Sequence, residues 1–276
     1  FEAAGFKNAI KAVDYPKNDP DFDPDDMRYS CFKYAATSTA NAMGPSVIDP
    51  RSGEIIEADI IWWHNVMSIL HAWIRLQTGA VDPAARGNTL PTEVMGNAVR
   101  FVSSHELGHS LGLKHNFGAS YSVPVDSLRS KSYTATNGTA SSIMDYARFN
   151  YVAQPEDHVP YVSPHIGPYD RFAIEWGYRW YPDEETEKRQ LRALLDSHTE
   201  KIYKYGEEQS AREAVDPRSL SEDLGDDAMK SAGYGIENLK RIVPDIVKWT
   251  TTGEEGQTYK DAAKLYAGAV FQWGLY

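Results

Sequence analysis

Residues 105–115 read His105-Glu106-Leu107-Gly108-His109-Ser110-Leu111-Gly112-Leu113-Lys114-His115. On a helix, His105 and His109 are one turn apart and project from the same face. Both can grip one ion, at about 2.1 Å from each ligating nitrogen. His115 cannot join them if the helix continues, because ten residues at about 1.5 Å rise place it roughly 15 Å along the axis. The chain must therefore turn back. Gly112 sits where a helix end needs a residue tolerant of positive φ. Glu106 is rotated by about 100° from His105, so it flanks the ion rather than binding it. A carboxylate beside a metal-activated water is what a general base requires. The run thus nominates His105, His109 and His115 as ligands of one Zn²⁺ and Glu106 as a catalytic base.

The whole chain has 276 residues, 42% of them hydrophobic, enough for one sizeable domain or two lobes sharing a cleft. Its formal charge of −11 argues against nucleic acid or an anionic membrane surface as a partner. No apolar run approaches the length of a membrane span. The chain begins at Phe1 with no signal peptide, which reads as a mature fragment with any targeting or inhibitory segment outside it. Cys31 is the only cysteine, so no intrachain disulfide can form. That fits the cytosol, and equally a bacterial secreted enzyme stabilised by its core or by ions. Nothing in the sequence sets an oligomeric state.

Phe1, Phe6, Ile10 and Val13 recur with roughly helical spacing. Residues 18–26 are a loop rich in Pro and Asp. Asp19, Asp21, Asp23, Asp25 and Asp26 could serve a Ca²⁺ ion, but their spacing matches no EF-hand and a solvated loop is the simpler expectation. Residues 27–36 read as a strand that buries Cys31. Residues 42–48 and 54–61 read as the arms of a hairpin around Asp49-Pro50-Arg51-Ser52-Gly53. Pro45 has no N–H for a ladder, so its arm belongs at a sheet edge. There Met43, Gly44 and Pro45 could align an extended peptide by strand addition.

A helix is expected over 62–78, with Trp63, Met67, Leu70 and Ile74 on one face. Its His64 and His71 are too far apart for one metal. Pro91 and Thr92 open the zinc helix, with Thr92 as its N-cap. Residues 116–141 read as a long irregular connection. Further helices are expected over 168–176, 184–203, 236–249 and 259–271. In the acidic loop 216–227, Glu222, Asp223, Asp226 and Asp227 read as solvated caps.

Ser142-Ile143-Met144-Asp145-Tyr146 follows the zinc run. With both in place, the chain resembles the metzincin clan of zinc metalloproteases. The second run is similar to the Ser-x-Met-x-Tyr turn of the serralysin and astacin families. Asp170, Ala173, Ile174 and Tyr178 are similar to the helix that follows it in serralysin-like domains. Asn116 follows the third histidine, where those families carry other residues. The specific part of the match covers 105–146 and a looser part runs from about 27 to 180.

The resemblance implies an α+β, two-lobed domain. Residues 1–118 would hold a twisted mixed sheet with an antiparallel edge strand, plus the active-site helix. Residues 119–276 would hold the Met-turn and further helices. Met144 would be an apolar floor beneath the histidines. Tyr146 would be a fifth ligand or an oxyanion donor. The implied activity is zinc-dependent endopeptidase cleavage of protein or peptide substrates, outside the cytoplasm of a bacterium. Residues 159–163 would shape the pocket beside the scissile bond. The alternative is a zinc-stabilised, non-catalytic binding module of a larger surface or secreted protein, with Tyr146 completing a closed site.

Overall fold

A computed structural model describes residues 1–159, 163–209 and 214–276. Its strands are β1 Phe32–Ala35, β2 Ala42–Met43, β3 Ser46–Ile48, β4 Ile55–Ala58 and β5 Ile60–Trp63. β1 and β5 run parallel, with Phe32 facing Ile60 and Ala35 facing Trp63. β2 joins the other side of β5 antiparallel, Ala42 facing Trp62, which makes it the edge of this mixed sheet. β3 and β4 form a separate antiparallel ladder.

The expected hairpin is thus split at Gly44-Pro45. Pro45 has no N–H to continue the ladder, and its carbonyl instead accepts the Asp59 N–H at 3.1 Å. The outer edge of β2 is unpaired among the described strands.

Two long helices back this sheet: α1 Val66–Thr78 and α2 Thr92–Ser110. Trp62 and Trp63 lie in β5 rather than in α1, because alternating burial carries Ile60 and Trp62 inward. In α2, Val94, Ala98, Phe101 and His105 are buried at helical spacing. Thr92 is the first helical residue, so Pro91 rather than Thr92 occupies the cap. The main core joins Trp62, Leu70, Ile74, Ala98 and Phe101 to Ile143, Met144 and Phe149. The sheet, both helices and the Met144 segment therefore share one apolar interior.

Beyond α2 lie α3 Gly118–Tyr121, α4 Val125–Leu128 and α5 Lys131–Asn137, where an irregular connection is expected. Helices of four to seven residues are too short to display a period in the sequence. Next come α6 Pro168–Tyr178, α7 Glu184–Asp196, α8 Ala228–Ile242, α9 Ile246–Thr250 and α10 Lys260–Leu275. Pro168 opens α6 at a position where its missing N–H costs nothing. The helix expected over 236–249 is two helices, because Pro244 cannot continue the ladder of α8. Leu239, Ile242, Ile246, Leu265 and Ala269 pack on Leu76, which docks these last helices on α1.

The N-terminal residues do not form the expected amphipathic helix. Only Glu2–Ala4 makes a helical turn, and Val13 is 82% exposed. The expected strand at 27–36 shrinks to β1, with buried Cys31 just before it.

Gly44 is where the sheet edge meets α2. A Cβ there would lie 2.0 Å from the Glu106 carbonyl oxygen, whereas one at Gly53 would meet nothing within 4 Å. Gly44→Ala is therefore expected to cost about 2–3 kcal/mol through backbone displacement. Gly53→Ala, at φ 77, is expected to cost only about 1–2 kcal/mol of left-handed strain. Urea unfolding of the two variants checks the order.

Candidate metal centre

His105 and His109 sit on the last turns of α2, and His115 returns to them after the chain reverses. The reversal is built from backbone bonds: Gly112 N–H to the His109 carbonyl at 2.9 Å, and Leu113 N–H to the Gly108 carbonyl at 3.0 Å. Gly112 takes φ 85, a left-handed value at no steric cost. The ligand-capable atoms of the three histidines all lie within 4.8 Å of one another. Nε2 of His109 is 3.1 Å from Nε2 of His105 and 3.1 Å from Nε2 of His115.

Those contacts are not hydrogen bonds. His105 Nδ1 is 2.7 Å from the Ile143 carbonyl and His109 Nδ1 is 2.9 Å from the Leu113 carbonyl. His115 Nδ1 is 2.7 Å from Glu208 Oε2. A carbonyl or carboxylate oxygen only accepts, so each Nδ1 carries the proton. A neutral imidazole has one N–H, and each Nε2 is then a bare lone pair. Three lone pairs aimed at one point repel unless a cation sits between them. Tetrahedral ligands at about 2.1 Å from an ion stand about 3.4 Å apart, close to the spacing here. Burial pushes the His105 pKa down to about 3, which keeps it neutral, and burial also lowers His109. The donor set therefore fits zinc.

The turn around Met144 forms the floor. A Cβ on Gly108 would lie 2.2 Å from Met144 Sδ, so the thioether packs directly under α2. Asp170 of α6 holds this turn. Its Oδ1 accepts from the Ser142 hydroxyl at 2.6 Å, and its Oδ2 from the N–H groups of Ile143 at 2.9 Å and Gly167 at 2.7 Å. Asn116 ties in the other side, donating its N–H to the Met144 carbonyl at 3.1 Å. The Ile143 carbonyl that orients His105 is thus fixed by residues on two other elements.

Glu106 is buried beside the cluster, and burial raises its pKa to about 7, opposed by the nearby Gly44 backbone N–H. Tyr146 packs its ring 4.6 Å from that of His115 and 5.4 Å from that of His105, centroid to centroid. Burial, ahead of the opposing Arg148 charge, raises its hydroxyl pKa. The Arg148 guanidinium lies 4.2 Å from the Tyr146 ring centre and 4.1 Å from that of Trp73, and pairs with Glu222.

The structure thus brings His105, Glu106, His109, His115, Met144 and Tyr146 together, with Gly44 touching Glu106. Met43 is 46% exposed on the outer strand, and Pro45 turns away toward Asp59. His64 and His71 stay apart from the cluster, facing Tyr34 and the Asn88 carbonyl. The Asp-rich loop is engaged otherwise. Asp25 pairs with Lys33 and Asp26 with Arg28, while Asp19 and Asp23 accept nearby backbone N–H groups. Among the described residues, the histidines are the one group of three or more such side chains converging on a point.

Ser163 lines a cavity of about 500 Å³ with Phe101, Ser104 and Ile143, while residues 160–162 of the expected pocket lie outside the described residues. Glu208 carries no motif that singles it out in the sequence. Asp170 does carry a signal, as the acid three residues after Gly167 at a helix start.

The expected solvated acidic loop is partly buried. Asp226 accepts the Val125 N–H at 3.1 Å and Asp227 caps α8, but Asp223 turns inward to Ser120. Ser120 N–H also bonds the fully buried Asp145, at 2.7 Å.

A long helix presenting converging histidines over a methionine-bearing turn, within an α+β fold, defines a metzincin-like domain. The chain belongs to the Met-zincin family, whose model matches residues 87–276. No curated protein and no solved structure matches it significantly. Family and histidine cluster together support a metalloprotease-like role with zinc. Among the described residues no helix is long and apolar enough to cross a membrane.

Burial raises the Asp223 pKa from 3.8 to about 7, so the folded state holds this proton more tightly than the unfolded chain. Its contribution to stability is full below the unfolded value and is lost as pH rises toward the folded one. Asp223→Asn removes that dependence. Relative to the parent, the variant should gain on the order of 1–3 kcal/mol between about pH 4 and about pH 8. Urea unfolding of the metal-free proteins at both pH values measures it.

Proposed function

We propose that the chain is a zinc-dependent endopeptidase in which His105, His109 and His115 hold one Zn²⁺ and Glu106 is the general base. The observation that carries this reading is the convergence of three imidazole lone pairs beside a buried carboxylate. Zinc bound there supplies Lewis acidity, acidifying water towards a pKa of about 7 and polarising a carbonyl.

The chain's own groups do the rest. Glu106, poised at about 7 by burial, accepts the proton of the attacking water near neutrality. The water oxygen bonds to the scissile carbonyl carbon, the C–N bond breaks, and Glu106 returns its proton to the departing amine nitrogen. The Gly44 backbone lies against Glu106, and its N–H favours the charged carboxylate against the effect of burial. Tyr146, its pKa raised by burial, keeps its proton and can donate to the developing oxyanion. The open edge of β2 at Met43 offers backbone groups to an extended peptide.

Structural zinc sites usually take four protein ligands. Among the described His, Cys, Asp and Glu side chains the converging set is three histidines, so a closed structural site would need Tyr146 as its fourth ligand.

Glu106→Gln is expected to retain zinc and lose at least about 100-fold in peptide cleavage. Chelation should abolish parental cleavage and added zinc restore it. Parental rates in the Gln variant would overturn the mechanism. A zinc-loaded parent that cleaves nothing in a broad peptide library would favour the binding module.

A further inference from the structure

His105 and His109 receive their orienting bonds from the carbonyls of Ile143 and Leu113, close to the zinc helix. His115 does not. Its Nδ1–H meets Glu208, a carboxylate 93 residues further along the chain. We propose that Glu208 is a positioning residue for the metal centre, fixing His115 in the tautomer and rotamer that present Nε2 to the ion. This rests on the zinc reading above.

A carboxylate on Nδ1 draws the single imidazole proton to that side and leaves the Nε2 lone pair free. The ring also stacks on Phe117, centroids 5.2 Å apart, so the hydrogen bond sets its rotation against a flat wall.

The backbone delivers Glu208 to this place. The segment preceding it is laced to the residues after His115. Asn116 Oδ1 accepts the Gly206 N–H at 2.8 Å, and Asn116 Nδ2 donates to the Lys204 carbonyl at 3.1 Å. Phe117 N–H donates to the Gly206 carbonyl at 2.9 Å. The two backbones touch: a Cβ on Gly206 would lie 2.5 Å from the Gly118 nitrogen. Ser219 Oγ donates to the Glu207 carbonyl at 2.6 Å, anchoring the neighbouring residue from the far side. On the other side of Glu208, Gln209 Nε2 donates to the Asp216 carbonyl at 2.9 Å and the Ser219 carbonyl at 2.8 Å, so both neighbours of Glu208 are anchored although its own side chain is 59% exposed. A freely solvated glutamate needs no such strap. A carboxylate that must reach one imidazole nitrogen does.

The test is zinc affinity by chelator competition, for the parent and for Glu208→Ala, Glu208→Gln, Glu207→Ala and His115→Ala. Glu208→Ala is expected to weaken zinc binding by about 10–100-fold. Glu208→Gln keeps an acceptor oxygen and should lose less. Glu207→Ala should match the parent. With Co²⁺ in place of zinc, the visible spectrum of Glu208→Ala should shift while that of Glu207→Ala does not. Melting of the metal-free proteins separates these effects from folding. If Glu208→Ala fails to fold, Glu208→Leu, which also removes the acceptor, carries the same comparison. Parental affinity and a parental cobalt spectrum in the Glu208 variants, with binding lost in His115→Ala, would overturn this proposal and leave the zinc reading standing. A parent that binds no zinc would overturn both.

Discussion

Three imidazole nitrogens point their lone pairs at one another with 3.1 Å between neighbours, and the structure around them is arranged to keep them there. Such an arrangement is repulsive without a cation and strongly binding with one. Each ring is held from behind by an acceptor on Nδ1, and the three acceptors come from different places: the Met144 turn, the loop after α2, and the segment at 204–208. The Met144 turn depends in turn on Asp170 of α6, and the 204–208 segment depends on Asn116. The Met144 turn, α6 and the 204–208 segment thus act as a frame for imidazole orientation, while the sheet edge at Gly44 packs against Glu106. Orientation of this kind is what metal sites demand of the groups behind their ligands.

Burial tunes the same groups in opposite directions. It lowers His105, so that imidazole stays neutral, and raises Glu106 and Tyr146, Glu106 to about 7 and Tyr146 further from neutrality. One cause, the removal of water from around the end of α2, yields three chemically useful states. The apolar core reaching from Trp62 through Phe101 to Met144 and Phe149 is what excludes that water.

The parts of this arrangement that were legible in the sequence are those governed by local spacing. The one-turn separation of His105 and His109, the need for a reversal at Gly112, and the edge position forced by Pro45 all follow from backbone geometry. α2 and α6 showed a period because one face of each is buried over many residues. What stayed hidden depends on distant partners. α3 and α4 are too short for a period, and Pro244 divides a helix whose apolar pattern runs on across the break. The first residues have helical spacing, but only Phe1 and Phe6 find partners, Phe1 against Tyr178 of α6, while Ile10 and Val13 stay exposed, so no continuous face is buried. Glu208 and Asn116 are ordinary polar residues until the fold sets 116–118 against 204–206, a contact that no local pattern encodes. Asp223 looked solvated for the same reason, since Ser120 and Asp145 approach it only in the folded chain.

The most direct test of the three-histidine zinc centre is X-ray absorption at the zinc edge of the loaded protein. The account predicts one zinc per chain with three imidazole nitrogens at about 2.0–2.1 Å and the remaining coordination from light oxygen donors. His115→Ala should remove one imidazole from that shell. A shell with fewer than three imidazoles in the parent, or one unchanged in His115→Ala, would contradict it.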